Sequence, residues 1–136
     1  MGKASLRKGS NFENEIGKLL SADLGLADPL RRILDQRRTK CLPDLMLGNL
    51  YIECKRYKEG TAQQSWWDQV CDACQGNSST TPILVYKFDR KPITVRVPLS
   101  FINTSLALNT KQYCELDWET FIDWLKEHHS HEYQST

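Results

Sequence analysis

Three charged residues in the middle of the chain, Asp44, Glu53 and Lys55, have the types and spacing to act on a phosphate group. Gly48-Asn49 lies between two short apolar runs, which predicts a β-hairpin with a two-residue turn. In that register Asp44 faces Glu53, with their Cβ atoms roughly 4.5–5.5 Å apart. Lys55 lies on the same face because side chains alternate along a strand. The other face carries the apolar side chains predicted to enter the core: Leu45, Leu47, Ile52 and Cys54.

Two opposed carboxylates destabilise a sheet unless they share a proton or hold a cation. Oxygen ligands at this spacing suit a hard ion such as Mg2+, with Mn2+ as a substitute. A neighbouring lysine is useful if a water is activated next to a phosphate. The alternative is an edge hairpin whose charges are merely solvated. Because all three charged residues lie on one face of an otherwise apolar hairpin, the metal site is favoured.

The segment before the hairpin is predicted to contain a helix, a strand and a basic connection. Ser10 and Glu13 match a capping box, which predicts a helix from about 11 to 24. Capping alone explains Glu13, so a second role for it stays open here. Residues 30–34 favour a strand. Residues 36–41 are polar and basic, and either form a solvated loop or bind phosphates beside the site.

The segment after the hairpin predicts a helix over 62–75, strands over 83–88 and 93–97, and a last helix over about 117–129. Trp66 and Trp67 are adjacent, so we expect that they do not both fit one buried stripe and that one is exposed. Residues 98–111 are expected to be irregular. The His-rich segment 128–131 is expected to be a frayed polar tail rather than a metal site.

These elements give the order α-β-β-β-α-β-β-α, an α/β (α+β) fold with a mixed sheet of about five strands flanked by helices. The 136 residues suit one domain, with a core over about 7–97. Residues 1–58 contain 12 Lys/Arg against 7 Asp/Glu, whereas residues 59–136 contain 6 against 10. The basic half carries the candidate site, which suits a phosphate-rich partner.

The five cysteines and the absence of a signal peptide or long apolar run indicate a reducing compartment, with the cytoplasm expected and no membrane partner. Cys71 and Cys74 form a lone CxxC. No further ligand stands at a matching spacing for zinc, and the pair lies near a helix end rather than at its start. We therefore expect packing thiols there.

Pro43-Asp44, the hairpin and Glu53-x-Lys55 together resemble the motif of PD-(D/E)xK nucleases. Within that group the chain is most similar to archaeal-type Holliday-junction resolvases and their phage counterparts. Those proteins open the first helix with a basic Lys-Gly-Ser/Thr-x-x-Glu segment, which stands here as Lys8 to Glu13. The resemblance covers roughly residues 7–97. It implies a restriction-endonuclease-like fold and a Mg2+-dependent endonuclease that cuts four-way DNA junctions as a homodimer.

The resemblance also implies residue roles. Asp44, Glu53, the carbonyl of Cys54 and Glu13 would bind Mg2+, and it favours this role of Glu13 over capping. Lys55 would orient the attacking water or stabilise the transition state, and Gln69 could hold Lys55 or the water. The residues expected to contact DNA are Arg7, Lys8, Ser10, Arg37, Arg38, Lys40, Arg56 and Lys58. An exposed Trp66 or Trp67 is the candidate dimer contact.

The chain departs from the family pattern in two respects. The gap between Asp44 and Glu53 is shorter than usual, and the second half is acidic. The acidic half leaves junction specificity more open than the nuclease chemistry. The alternatives are another nuclease with the same motif, of nicking or restriction type, and a nucleic-acid-binding module without activity. A zinc or thiol-redox protein built on Cys71 and Cys74 is the least favoured.

Overall fold

The computed structural model describes residues 2–28, 30, 42–75 and 79–134, with side chains from residue 11 onward. The helices are α1 (Gly2–Leu24), α2 (Gln64–Ala73), α3 (Leu99–Ile102) and α4 (Trp118–His128). The strands are β1 (Leu45–Leu47), β2 (Leu50–Tyr57), β3 (Thr81–Phe88), β4 (Thr94–Pro98) and β5 (Tyr113–Asp117). A 3-10 turn, Ser130–Glu132, follows α4. No helix in these ranges is long and apolar enough to cross a membrane.

The five strands form one mixed sheet in the order β1-β2-β3-β4-β5. β2 and β3 are parallel, with α2 as the crossover, and the other neighbours are antiparallel. α1, α3 and α4 pack on one face, around buried residues such as Ile16, Phe101 and Phe121. α2 packs on the other face through Trp66, Trp67 and Val70. The predicted mixed sheet with flanking helices is confirmed.

The hairpin has the predicted register, with Leu45 opposite Ile52 and Leu47 opposite Leu50. Gly48 has a φ of 58°, a conformation that L residues rarely adopt and that the two-residue turn requires. The apolar residues of this hairpin enter the core between the sheet and the helices α1, α3 and α4, as expected: Leu45, Leu47, Ile52 and Cys54. Asp44 and Glu53 are therefore directed to the face covered by α2.

The predicted start of the first helix is wrong. α1 begins at Gly2, so Ser10 is inside the helix and is not its N-cap. The residues before Ser10 include good helix formers such as Ala4, Leu6 and Arg7, and the interior glycine of this stretch, Gly9, costs the helix only about 1 kcal/mol. The capping explanation of Glu13 no longer applies, because Glu13 lies in the middle of α1.

The expected exposure of one tryptophan is also wrong, since Trp66 and Trp67 are both buried. Trp66 stacks on Tyr57, with ring centroids 5.1 Å apart. Trp67 is covered by the segment after α3 and donates from Nε1 to the carbonyl oxygen of Thr110 at 2.8 Å. The apolar cluster between the sheet and α2 is broad enough for both rings, so neither tryptophan is a candidate dimer contact.

The C-terminal third is more ordered than expected. The 98–111 segment, expected to be irregular, begins with α3, and the strand β5 that follows it was not predicted. The strand predicted over 30–34 lies outside the described residues, except for Leu30, which is in no strand. Asp117 caps α4 by accepting from the Thr120 amide at 2.7 Å. The predicted frayed tail is wrong, because His129 is buried and stacks on Phe101 at 4.0 Å.

The tail also supports the hairpin turn. The Asn49 amide donates to Oε2 of Glu132 at 2.6 Å, and a Cβ added to Gly48 would lie 2.5 Å from the Glu132 carbonyl oxygen. We expect Gly48→Ala to lower the free energy of unfolding by about 2–4 kcal/mol, from backbone strain and from overpacking. Chemical denaturation of the metal-free protein measures this loss.

The matched control is Gly25→Ala. Gly25 has a φ of 67°, but a Cβ there would meet nothing within 4 Å. It should therefore cost only the backbone strain, about 1–2 kcal/mol. Equal losses in the two variants would show that contact with the C-terminal tail does not constrain the turn.

Candidate active site

Asp44 and Glu53 form a buried acidic pair on the face of the sheet that carries α2. Asp44 is 5% exposed and Glu53 is 2% exposed. Oδ2 of Asp44 accepts a hydrogen bond from the Cys54 amide at 2.9 Å, which attaches the residue before β1 to the middle of β2. The pair is thus held by backbone pairing and by this bond, rather than by flexible side chains alone.

Close approach of two carboxylates has an electrostatic consequence. Burial, followed by the charge and hydrogen bond of Asp44 and, last, the charge of Glu13, together raise the pKa of Glu53 to about 9. Lys55 acts in the opposite direction but does not offset the burial. Without a cation, Glu53 therefore carries a proton at neutral pH. A divalent ion would replace that proton, so the donor set of the pair suits a hard cation.

Lys55 and Gln69 complete a short chain of contacts with this pair. Nζ of Lys55 lies 3.8 Å from Oε1 of Glu53 and donates to Oε1 of Gln69 at 2.9 Å. Nε2 of Gln69 donates to Oε1 of Glu53 at 3.2 Å. The amide of Gln69 therefore bridges the ammonium group and the carboxylate from α2. Residues from the hairpin and from α2 are brought to one point.

Glu13 and Cys54 are also close to the acidic pair. Glu13 is half-buried on α1 and raises the pKa of both Glu53 and the Cys54 thiol. The Cys54 side chain lies in the core on the opposite face, where burial raises its pKa well above 9. Its backbone carbonyl is the group that the family resemblance implies as a metal ligand. Across the described ranges, no group of three or more His, Cys, Asp or Glu side chains is arranged to hold a metal ion.

The family described as "Phage putative PDDEXK endonuclease" matches residues 4–134 of this chain. The chain belongs to this family. The match extends over the hairpin, α2 and the C-terminal helix, whereas the sequence resemblance reached only residue 97. The protein is therefore a PD-(D/E)xK nuclease.

A solved structure, the 1.6 Å structure of Hjc, a Holliday junction resolvase from the archaeal hyperthermophile Archaeoglobus fulgidus, matches with 21% identity and a TM-score of 0.48. The alignment covers 80% of this chain and 86% of Hjc. No curated protein matches the chain.

The basic residues predicted to contact DNA are only partly described in this PDDEXK endonuclease. Arg37, Arg38 and Lys40 lie outside the described residues, as do the side chains of Arg7, Lys8 and Ser10. The guanidinium of Arg56 is bound to Oδ1 of Asp89, at 3.1 Å from Nε and 3.0 Å from Nη2. Lys58 is exposed at the end of β2.

One contact of this PDDEXK endonuclease was missed by sequence reasoning. Glu132 reaches the hairpin turn from 83 residues away, and no local pattern marks such a contact.

Cys71 and Cys74 are free thiols, and burial raises the pKa of Cys71 to about 12 and also raises that of Cys74. Neither is a reactive thiolate at neutral pH, in agreement with the predicted packing role.

Proposed function

We propose that this PDDEXK endonuclease is a Mg2+-dependent, structure-specific DNA endonuclease that resolves four-way junctions as a homodimer in the host cytoplasm. The observation that carries the proposal is the buried pair Asp44 and Glu53, with the Lys55 ammonium group 3.8 Å from Glu53. Two carboxylates and one ammonium group at a strand pair provide metal binding and phosphate contact at the same point.

Asp44, Glu53, the Cys54 carbonyl and Glu13 would hold the ion, with Glu13 acting directly or through water. Bound Mg2+ would lower the pKa of a water and neutralise charge that develops on the scissile phosphate. Mn2+ would substitute, since it accepts the same oxygen ligands. The residues of this chain supply the remaining functions.

Lys55 is the residue that would orient the attacking water or stabilise the negative charge of the transition state. Its ammonium group is held by Gln69 and by Glu53, so its position is defined before substrate binds. Such preorganisation lowers the barrier because the protein does not reorganise during the reaction. Gln69 is a positioning residue in this scheme.

The junction preference rests on the basic segment from Lys8 to Glu13, which matches the start of the resolvase family. Glu13 of that segment acts electrostatically on the acidic pair. Symmetric cutting of a junction requires two sites, which is why a homodimer is proposed. Contacts of Arg7, Lys8, Ser10, Arg37, Arg38, Lys40, Arg56 and Lys58 with phosphates would give affinity without sequence preference.

The experiment is a comparison of cleavage of a four-way junction and of linear duplexes with the same arm sequences, with and without Mg2+. Selective, symmetric cutting of the junction supports the proposal. Equal rates on both DNAs would exclude the resolvase function and leave a nicking or restriction-type nuclease. Size measurement at assay concentration tests the dimer.

Gln69→Ala should lower the single-turnover cleavage rate about 10- to 100-fold while the affinity for DNA is unchanged, because it removes the residue that orients Lys55 and Glu53. The matched control is Gln64→Ala on the same helix, whose side chain is exposed and binds only Asp68 in the contacts seen. Gln69→Glu would retain the bond to Lys55 but add a fourth carboxylate beside Glu13, Asp44 and Glu53. A normal rate for Gln69→Ala would exclude the positioning role.

A further inference from the structure

A pocket of about 330 Å³ lies at the end of β2 and β3, and Tyr86 and Phe88 form part of its lining. In the parallel register of β2 and β3, Lys55 is opposite Tyr86 and Tyr57 is opposite Phe88. Two residues along a strand span about 7 Å. The lining therefore begins at the strand position next to Lys55 and extends by about that length along the sheet.

The floor of the pocket is aromatic and well supported. The rings of Tyr86 and Phe88 meet edge to face, with centroids 5.9 Å apart. Trp66 packs against each of them at 6.0 Å and is itself stacked on Tyr57. Pro92 adds an apolar wall. A rigid aromatic floor of this kind suits a flat, polarisable ligand.

The rim of the pocket is basic. Three lysines contribute to it, Lys58, Lys87 and Lys91, against Glu59 and Asp89. Asp89 already accepts two hydrogen bonds from Arg56, so its charge is compensated. The balance at the rim is therefore positive, which complements the phosphates on either side of a bound base.

We propose that this pocket takes one unstacked nucleobase of the DNA strand that is cut, with its flanking phosphates on the lysine rim. The inference rests on the proposed function and adds a subsite to it. The volume is at the lower end of ligand pockets, about 300–1,000 Å³, which suits a single base. Removing a base from the stack costs least where pairing is already interrupted, so a branch point favours this binding mode.

The test compares two single-stranded DNAs of equal length, an oligothymidylate and an otherwise identical strand with abasic residues. All proteins carry Asp44→Asn so that DNA is not cut. The base-bearing strand should bind about 5- to 100-fold more tightly, which is the range for stacking of a base on an aromatic residue. Phe88→Leu, which keeps apolar volume but removes the ring, should reduce this preference without changing the affinity for the abasic strand.

Charge at the rim is tested with Lys91→Ala, which should weaken binding of both strands and reduce the salt dependence by about one unit. Lys126→Ala is the matched control, because Lys126 is exposed on α4. A third readout needs no variant in the pocket. A strand with 5-iododeoxyuridine should crosslink under ultraviolet light to the peptide that contains Tyr86 and Phe88.

The outcomes separate this inference from the proposed function. Binding of both strands with no preference for bases, or crosslinks confined to other peptides, would overturn the base pocket and leave the nuclease proposal standing. Failure to bind either strand or a junction would overturn both. A preference that persists fully in folded Phe88→Leu would also exclude the aromatic floor as its source.

Discussion

Asp44→Asn should lower the rate of metal-dependent DNA cleavage by about 10²- to 10³-fold, similar to the loss of one preorganised electrostatic group in an enzyme. The affinity for DNA should be retained or improved, because a negative charge near the phosphates is removed. The fold should also be retained, since the asparagine carbonyl oxygen can still accept the hydrogen bond from the Cys54 amide. Single-turnover cleavage and equilibrium DNA binding, measured in one buffer, test both statements.

The matched control is Asp72→Asn, which removes one exposed carboxylate from α2 and should change neither quantity. Cleavage by Asp44→Asn at the wild-type rate would exclude the assigned metal ligand. If the wild-type protein cuts DNA with neither Mg2+ nor Mn2+ but binds it, the chain is a nucleic-acid-binding module that has kept the family fold.

The metal-free protein should lose stability as the pH rises through the neutral range. The pKa of Glu53 is raised to about 9 in the folded protein, against 4.5 ordinarily. Between these values the folded state binds more protons than the unfolded state, so the free energy of unfolding decreases with increasing pH. The contribution is complete below pH 4.5 and is lost as the pH passes through 9, with a slope of up to about 1.4 kcal/mol per pH unit.

Chemical denaturation in EDTA between pH 6.5 and 8.5 measures this slope. Below that window the lowered pKa of buried His129 makes stability fall as the pH falls. At the upper end of the window the thiols with raised pKa values add to the slope in the same direction as Glu53: Cys54, Cys71, Cys74 and Cys114. Glu53→Gln should remove the slope below pH 8 and stabilise the protein at pH 8.5, although cleavage is lost. Glu119→Gln, at an exposed position of α4, should keep the slope.

Mg2+ should reduce the slope in the wild-type protein, because a bound cation favours the charged carboxylates. The ion should also raise the midpoint of unfolding, since it binds the folded state. A flat pH profile in EDTA would mean that Glu53 is not protonated in the folded protein and that the acidic pair does not need a cation. The same measurement thus reports on the metal site without any nuclease assay.

The hairpin that carries the acidic pair follows from local sequence. Gly48-Asn49 determines the turn, and alternation along two short strands places Asp44 and Glu53 on one face while Leu45 and Ile52 enter the core. The same local rules gave α2, the β3–β4 pair and the Asp117 cap of α4. Turn chemistry and period-two alternation act over a few residues, which is why they could be predicted.

Other features depended on distant parts of the chain. A capping box at Ser10 was a valid local pattern, but the helix continues through it to Gly2. Burial of both Trp66 and Trp67 requires the sheet on one side and the segment around Thr110 on the other. Likewise, β5 forms because β4 provides its hydrogen-bonding partner, and His129 is buried because it stacks on Phe101.

The sequence by itself determined which residues could do the chemistry and which face of the hairpin they share. The tertiary structure alone decided that Gln69 reaches from α2 to both Lys55 and Glu53, and that Glu132 reaches the turn between β1 and β2. The physical reason is the range of the interactions. Backbone conformation and side-chain alternation are set by neighbouring residues, whereas burial and long-range hydrogen bonds are set by which elements pack together.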